Sequence, residues 1–428
     1  MKFYIYTLGC KVNTYESNVM ADILKNNGYV EINNVSEIAD IYIINTCTVT
    51  NTADSKSVKV IKQAIKKNPN AIIIVVGCMA QNKLEETKKI EGVSIVIGNT
   101  NKTKIVDFIE EYKKNNNKII DHQDISKVKF ENMTLNNFNK TRAFIKIQDG
   151  CDNFCSYCVI PYTRGDVRSK DKNDVFNEIE TLIMNGHKEI VLTGIHTGNY
   201  GKEFENYDFS DLLYDIVKIK GLDRLRISSI EITEINDRVL DIIKNNDILV
   251  DHMHIPLQSG SDEILINMNR KYDTSYFINK INKIREIRPD ISITTDVIVG
   301  FPGETEKHFL ETVNTINNIK FSKLHIFPYS KREKTKAALM PNQINDNVKK
   351  SRVKSLLDLS KKLEIDYMKK FINKEIYFIP ETYKDGYIIG HTGNYLLIKV
   401  KGDESDLHNN IKVKINNIDY PYCISEKI

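Results

Sequence analysis

Three cysteines lie close together in the middle of the chain. Cys151, Cys155 and Cys158 have the spacing Cys-x3-Cys-x2-Cys and follow a predicted strand. Three thiolates on one tight loop could ligate three irons of a [4Fe–4S] cluster, which leaves the fourth iron open. S-adenosylmethionine could chelate that iron through its amino group and carboxylate, and an electron from the cluster could then cleave its carbon–sulfur bond. The loop therefore predicts radical chemistry that starts from S-adenosylmethionine.

The same three thiols have a plainer interpretation. They could bind zinc together with a fourth ligand from elsewhere in the chain, or they could be incidental. A zinc ribbon needs a second cysteine pair, or two histidines about three to five residues apart, and neither follows this loop. The spacing thus favours the iron–sulfur interpretation.

A second group of cysteines is spread over the first part of the chain. Cys10, Cys47 and Cys78 each come within two residues of the end of a short apolar run, the three runs being 2–8, 41–46 and 71–77. Carboxyl ends of parallel strands meet at one edge of a sheet, so these thiols could meet in space. The alternative is three buried structural thiols. Cys423 lies in an alternating terminal strand, and packing is expected there.

The elements around these cysteines predict an α/β fold. Helical stretches at about 15–27, 52–67 and 81–90 alternate with the three strands, and a fourth strand is expected at 94–97. This pattern predicts a parallel α/β sheet domain over residues 1–113. An Asn-rich polar stretch at 113–137 is expected to be a linker.

A second alternation of strands and helices follows the linker. The candidate strands are 143–148, 189–193, 224–229, 253–257, 292–299 and 324–328. Six βα units predict a partial (β/α)6 barrel over 138–367, with its chemistry at the carboxyl ends of the strands. The residues at those ends are polar or Gly-rich. His196 and His254 lie near this rim, and a hydrogen-bonding role is expected for both.

The end of the chain changes character again. Residues 345–371 have a mostly helical apolar period. Five short strands separated by Gly-containing turns follow, at 376–379, 387–391, 395–400, 411–415 and 418–424. They predict a small antiparallel β-barrel over 370–428.

Composition excludes several classes of protein. The 428 residues carry a formal net charge of only +4, which excludes a histone-like basic coat. The longest apolar run, 71–80, is about half of a membrane span. Seven cysteines in so long a chain do not suit a disulfide scaffold, and no signal peptide is evident. We expect a cytoplasmic protein with reduced thiols and no membrane contact.

The sequence from 150 to 165, GCDNFCSYCVIPYTRG, resembles the signature of the radical-SAM methylthiotransferase family. It is most similar to the MtaB type, which modifies N6-threonylcarbamoyladenosine in tRNA. Segments 9–13, 45–50 and 76–81 are similar to the family's other motifs, and 390–395 resembles a TRAM domain. At position 11, where the isopentenyladenosine subgroup usually has Gln, this chain has Lys11.

The resemblance implies cofactors and site residues. It implies that Cys10, Cys47 and Cys78 bind a second, auxiliary [4Fe–4S] cluster beside the radical-SAM cluster of the central loop. It also implies S-adenosylmethionine contacts at the ends of three barrel strands, namely Gly194, Gln258, Ile298 and Gly300. Tight βα turns alone could account for many of these strand-end residues. No catalytic residue is assigned beyond the clusters.

The implied reaction is the 2-methylthiolation of threonylcarbamoyladenosine at tRNA position 37. One S-adenosylmethionine methylates a sulfur, and a second yields the radical that removes hydrogen from adenine C2. The implied partners are the tRNA anticodon loop and an external low-potential electron donor, and a monomer suffices. The alternatives are an isopentenyladenosine tRNA substrate, a ribosomal-protein aspartate, or a non-catalytic iron–sulfur protein that binds RNA or senses redox state.

Two further features bear on these expectations. Lys334 stands where the family usually has Gly, and a tight turn there needs a positive φ that Lys tolerates poorly. Lysines at 349–362, Tyr387 and Tyr395 could contact RNA. A solvated helix face and packed barrel aromatics are the favoured interpretation of those residues.

Overall fold

The computed structural model describes residues 1–136, 138 and 141–428, and its first part is a six-stranded parallel sheet in the order β2-β1-β3-β4-β5-β6. The strands are β1 (Lys2–Thr7), β2 (Val30–Glu31), β3 (Ile41–Thr46), β4 (Ile72–Gly77), β5 (Ile95–Ile97) and β6 (Ile119–Asp121). The helices are α1 (Lys11–Asn26), α2 (Asn51–Lys67), α3 (Cys78–Asn82), α4 (Leu84–Lys88) and α5 (Ile105–Asn115).

Helices cover both faces of this sheet. On β3, Ile41 and Ile43 pack in one core with residues of α1 and α5. The alternate residues, Tyr42 and Ile44, pack in a second core with α2. Every residue of β3 and β4 is buried, which explains why β4 and the first four residues of β3 show no polar alternation.

The sixth strand lies within the stretch expected to be a linker. Residues of β6 pair in parallel with β5, so the sheet continues past residue 113. The strand has only three residues, and its position is set by pairing with β5. In the sequence it shows only as two isoleucines among Asn and Lys residues, which is too short a pattern to predict a strand. The end of the expected linker, Asn137, and the neighbouring Asn139 and Lys140 lie outside the described residues.

The central part is an open arc of six parallel strands, which confirms the partial (β/α)6 barrel. They form two ladders, β11-β10-β7 and β12-β13-β14, linked by a bridge between Leu225 and Leu249. The strands, with the short antiparallel pair β8–β9, are β7 (Arg142–Lys146), β8 (Gln148–Asp149), β9 (Arg168–Ser169), β10 (Glu189–Thr193), β11 (Arg224–Ile227), β12 (His252–His254), β13 (Ser292–Val299) and β14 (Lys323–Pro328).

Helices follow most strands of the arc, and the last of them leads into the final part of the chain. They are α6 (Ile160–Arg164), α7 (Lys172–Met184), α8 (Phe209–Ile216), α9 (Asp237–Asn245), α10 (Asp262–Asn267), α11 (Thr274–Ile287), α12 (Glu306–Ile319), α13 (Lys336–Leu339) and α14 (Asp346–Lys369). Within the described ranges, no helix is both long enough and apolar enough to span a bilayer.

The last part is a closed five-stranded barrel in the order β15-β16-β17-β19-β18. β17 and β19 pair in parallel, and the other pairs are antiparallel. Cys423 is fully buried in its core, as expected for a packing residue. The strands are β15 (Glu375–Lys384), β16 (Tyr387–Thr392), β17 (Leu397–Lys401), β18 (Ile411–Asp419) and β19 (Tyr422–Lys427).

Two local features differ from the sequence expectation. The predicted strand at 418–424 is wrong, because its first two residues complete β18 and the chain turns at Tyr420-Pro421 before β19. Proline lacks the amide hydrogen that a continuing strand would use. At Lys334 the left-handed turn is kept although the residue is not glycine, with φ at 70°. The turn therefore carries a backbone conformation that is unfavourable for lysine.

Candidate active site

The three N-terminal cysteines lie at one edge of the parallel sheet. Cys10 follows β1, Cys47 follows β3 and Cys78 begins α3 directly after β4. The strands β1, β3 and β4 are neighbours. Gly9 has φ at 99°, and a Cβ atom there would lie 3.1 Å from the sulfur of Cys47. This turn therefore packs the backbone before Cys10 directly against Cys47, as the strand-end pattern predicts.

Buried amide side chains hold this edge of the sheet in place. Nδ2 of Asn13 donates to the carbonyl oxygens of Leu8 (2.7 Å) and Thr46 (2.9 Å), which joins the ends of β1 and β3. Nδ2 of Asn99 lies 3.7 Å from the sulfur of Cys78. Burial, together with Cys78 and Cys10, raises the pKa of Cys47 to about 11. A metal centre here would have to displace the thiol proton.

The loop with the other three cysteines lies between β8 and α6. The amide of Cys151 donates to the carbonyl of Gly165 (2.9 Å), and the amide of Cys158 donates to that of Cys155 (2.9 Å). A Cβ atom at Gly150 would lie only 1.8 Å from the carbonyl oxygen of Asp166, so this position has no room for a side chain. The loop therefore begins in a tightly fixed turn.

Residues from distant segments support the same loop. Nδ2 of Asn269 donates to the carbonyl oxygens of Asn153 (3.2 Å) and Phe154 (3.1 Å). The hydroxyl of Ser156 donates to the carbonyl of Asn267 (2.8 Å). The segment after α10 thus fixes the shape of the loop between its first two cysteines and beyond.

Arg270 places a positive charge beside one sulfur of this loop. Its Nη1 lies 3.5 Å from the sulfur of Cys155. The guanidinium is held by an ion pair with Glu231 and by the hydroxyl of Tyr272, which accepts from Nε at 3.1 Å. A cation at this distance stabilises a thiolate relative to the thiol.

His196 lies beside the sulfur of Cys151, as Arg270 lies beside that of Cys155. Its Nδ1 is 3.5 Å from the sulfur, and its other ring nitrogen pairs with Glu234. Burial opposes the charged imidazole, but the contacts with Cys151 and Glu234 outweigh burial and raise the pKa of His196 to about 10. Two of the three sulfurs therefore face cationic donors, which fits thiolate ligands of an iron–sulfur cluster.

All seven cysteines are unpaired thiols. Across the part of the chain that the structure describes, no three His, Cys, Asp or Glu side chains are grouped to hold a single metal ion. A four-iron cluster differs from a single ion because its ligands bind at separate corners.

A buried network of charges connects the two groups of cysteines. The carboxylate of Glu16, on α1, accepts from Lys102 at 2.6 Å and from Arg164 at 2.7 Å. It also accepts from Lys146 at 2.9 Å. Asp149 pairs with Lys146 at 2.6 Å and with Arg164 at 3.2 Å. At most 3% of any of these side chains is exposed, so the network is shielded from water.

The cations around Glu16 favour the ionised form of its carboxyl group. Burial alone would raise the pKa of the Glu16 carboxyl, but the three cations around it hold that pKa well below its usual range. Arg164 also donates to Oδ1 of Asn13 at 2.8 Å, and its charge acts on Cys78 and Cys10. The cations outnumber the two carboxylates, so a positive surplus lies between the two thiol groups.

A cavity of about 770 Å³ lies where the three parts of the chain meet. The sheet domain contributes Cys10 and Lys11, and the last barrel contributes Tyr395. The central arc contributes polar residues at or near the carboxyl ends of its strands, among them Gly194, Ser228, Ser229, His254 and Asp296. The site therefore requires all three parts of the chain.

The four residues expected at S-adenosylmethionine occupy different places. Gly194 lines the cavity. Gln258 accepts from the amide of Ile298 at 2.8 Å, so these two residues are adjacent at the rim. The open side of Gly300 is already occupied, because a Cβ atom there would lie 2.3 Å from Cγ of Lys349. The structure thus brings Gln258 and Ile298 together and places Lys349 against Gly300.

The aromatic residues considered for RNA stacking are engaged in packing. The guanidinium of Arg226 lies 4.0 Å from the ring centroid of Tyr395, and that of Arg142 lies 5.1 Å from it. Tyr387 lies beneath the ammonium of Lys399, at 4.7 Å. Tyr395 therefore attaches the last barrel to the central arc.

Several of these residues were not identified from the sequence. Glu16 lies on the apolar face of α1 with Val12 and Val19. A charged residue on an apolar helix face indicates a buried ion pair, and the sequence shows that pattern. Lys146 ends β7 directly after three apolar residues. Lys102 and Arg270 lie in polar stretches where no pattern distinguishes them.

Comparison with known proteins agrees with this architecture. Residues 2–98 match the family described as Uncharacterized protein family UPF0004, and residues 145–316 match the Radical SAM superfamily. The chain is 44% identical over 425 residues to the threonylcarbamoyladenosine tRNA methylthiotransferase MtaB of Bacillus subtilis, covering 97% of this chain and 94% of that protein. It is 36% identical to a tRNA-2-methylthio-N(6)-dimethylallyladenosine synthase of Clostridium botulinum, at 97% and 94% coverage.

A solved structure shares the fold at low identity. The radical S-adenosylmethionine methyltransferase TsrM of Kitasatospora setae superposes with a TM-score of 0.57 at 12% identity, covering 79% of this chain and 76% of that chain.

Removing the carboxylate charge at the centre of the network should strongly destabilise the protein. In Glu16→Gln, three buried cations lose their main counter-charge, and we expect a loss of about 3–5 kcal/mol in folding free energy. The thermal unfolding midpoint measures this loss. Glu31→Gln removes a surface partner of Lys25 and should change stability by less than about 1 kcal/mol. Equal midpoints for the two variants would contradict the importance of the network.

Arg270 should raise the reduction potential of a cluster bound by the central loop. A positive charge near Cys155 stabilises the more negative, reduced cluster, so Arg270→Met should shift the potential to more negative values. A redox titration followed by electron paramagnetic resonance measures this shift at equal iron content. Lys283→Met removes an exposed cation on α11 and should leave the potential unchanged. If Arg270→Met and the wild type have equal reduction potentials, Arg270 does not stabilise the reduced cluster.

Proposed function

The chain belongs to the radical-SAM tRNA methylthiotransferases, and on this basis we propose that it converts N6-threonylcarbamoyladenosine at position 37 of tRNA to its 2-methylthio derivative. The identity of 44% to a relative named for this nucleoside, against 36% to one named for dimethylallyladenosine, supports this choice of substrate.

One observation above all supports methylthio transfer. Arg164, six residues after Cys158, donates to Asn13, three residues after Cys10. This contact places the two groups of thiols on either side of one buried guanidinium. A reaction that needs both a radical and a sulfur donor requires such proximity.

The two thiol groups receive separate roles in this proposal. Cys151, Cys155 and Cys158 hold the radical-SAM [4Fe–4S] cluster, and Cys10, Cys47 and Cys78 hold the auxiliary one. When bound, the reduced cluster and S-adenosylmethionine supply a radical able to remove hydrogen from an unactivated carbon. We assign the cofactor contacts to the strand ends, with Gly194, Gln258, Ile298 and Gly300 as the residues concerned.

The remaining groups position and shield the reactants. Arg270 and His196 stabilise the ionised sulfurs of Cys155 and Cys151. The cavity has a volume in the usual range for small-molecule sites, and we assign it to the adenine. The electron comes from an external low-potential donor, and the tRNA anticodon loop supplies the adenine.

Iron content should report two separate clusters. We expect about eight irons in the anaerobically reconstituted wild type, and about four in each triple Cys→Ala variant, at 10/47/78 or at 151/155/158. Cys423→Ala serves as the matched control, because its thiol lies in the core of the last barrel, and should retain about eight. About four irons in the wild type, all lost with the second triple variant, would leave one cluster only.

The product identifies the substrate. The reconstituted protein, incubated with a reductant, S-adenosylmethionine and tRNA carrying threonylcarbamoyladenosine, should yield the 2-methylthio nucleoside and 5′-deoxyadenosine, detected by mass spectrometry. Conversion of isopentenyladenosine tRNA alone would assign the other subgroup. No cleavage of S-adenosylmethionine at full iron content would indicate a non-catalytic iron–sulfur protein.

A further inference from the structure

A positively charged side chain in the wall of the interdomain cavity has no partner. Lys11 is the first residue of α1 and lines the cavity next to Cys10. Among the residues that the structure describes, its ammonium makes no hydrogen bond and no ion pair. The charges acting on it most strongly, Arg226 and Arg142, are also positive. Asp296 acts on Lys11 in the opposite sense but without direct contact, so Lys11 has no counter-ion of its own among the described residues.

The carboxylates of the wall and the other lysine are already paired. Asp296 lies 3.3 Å from His254, and Lys323 lies 2.9 Å from Glu364. The two arginines behind the wall also have counter-charges, because Arg226 pairs with Glu189 at 2.7 Å and Arg142 pairs with Glu381 at 3.3 Å. Lys11 is thus a cation of the wall with no carboxylate in direct contact among the described residues, and an anionic ligand would supply one.

A second polar group in the same wall also lacks a partner. His252 is 7% exposed and lines the cavity. Its Nε2 shares a hydrogen bond with the hydroxyl of Thr294 at 3.1 Å, while its Nδ1 is buried and makes none. Buried polar atoms in native structures almost always have a partner. That nitrogen is buried away from solvent, so of the two groups Lys11 is the one that a ligand in the cavity can reach.

We propose that Lys11 is the cationic end of a carboxylate subsite in this cavity, and that the subsite receives the amino-acid carboxylate on the N6 substituent of the substrate adenine. The inference rests on the proposed function, because it assumes a threonylcarbamoyl substituent.

This subsite accounts for substrate choice by charge. A carboxylate forms a charge-assisted hydrogen bond with an ammonium, which is stronger than a bond between neutral groups. An apolar substituent of similar size would desolvate Lys11 without replacing its lost water. The residue therefore favours the acidic substituent and disfavours the apolar one.

Binding of three RNAs tests the subsite directly. The probes are anticodon stem–loop RNAs that carry, at position 37, threonylcarbamoyladenosine, its carboxamide, or unmodified adenosine. The wild type should bind the carboxylate RNA about tenfold more tightly than the carboxamide RNA. Lys11→Gln, at equal iron content, should lose that difference, and Lys11→Arg should retain most of it. Lys25→Gln, at the other end of α1, alters a surface pair and should bind as the wild type does.

The outcomes separate this inference from the function on which it rests. Equal affinity of the wild type for the carboxylate and carboxamide RNAs overturns the subsite, and that measurement needs no variant to fold. A uniform loss of affinity for all three RNAs in Lys11→Gln also overturns it, because it would indicate a phosphate contact or a structural role. If the wild type methylthiolates threonylcarbamoyladenosine while Lys11→Gln keeps the wild-type preference, only the subsite fails. If the wild type methylthiolates isopentenyladenosine RNA alone, the proposed function fails first.

Discussion

The buried carboxylate of Glu16 is the interaction on which the arrangement of this molecule depends. It binds three cations that come from the sheet domain, from the first strand of the arc and from the end of the cysteine loop. Such a network is costly to desolvate, so it is a weak source of net stability but tolerates very few alternative geometries. Since Glu16 lies six residues after Cys10 and Arg164 lies six residues after Cys158, the network fixes the two thiol groups relative to each other.

Positive charge is distributed in two distinct ways around the site. Near the thiols, Arg164 and Arg270 are held by carboxylates in rigid positions, so they present a fixed field where anionic sulfur ligands are expected. In the cavity, Lys11 touches no carboxylate in the part of the chain that the structure describes, so its charge remains available to a ligand. The difference between paired and unpaired cations thus distinguishes structural from binding roles.

The last barrel is part of the site because several of its residues line the cavity, and one of them, Tyr395, also packs against the central arc. Tyr395 contributes to the cavity wall and lies against the guanidinium groups of Arg226 and Arg142, which belong to strands of the arc. Both arginines are in turn held by carboxylates. Cation–π contacts with desolvated arginines are worth about 2 kcal/mol or more. The barrel is therefore anchored where it closes the cavity.

Local sequence determined the elements whose burial is uniform. β10 and β13 have the bounds predicted for them, and most of their residues are buried. The cysteine loop and the strand-end cysteines were also predictable from the sequence, because the spacing of ligands and the ends of strands are local properties of the chain.

Tertiary structure decided the rest. β6 exists through its pairing with β5, and Lys334 keeps a left-handed turn that its own preference opposes. The partners of Glu16 come from positions 86 to 148 residues away in the sequence. The lack of a carboxylate against Lys11 likewise depends on the ion pairs that its neighbours form in the folded chain. Such charge balances are properties of the assembled interior, because a charged residue in sequence does not reveal which opposite charge will be buried beside it.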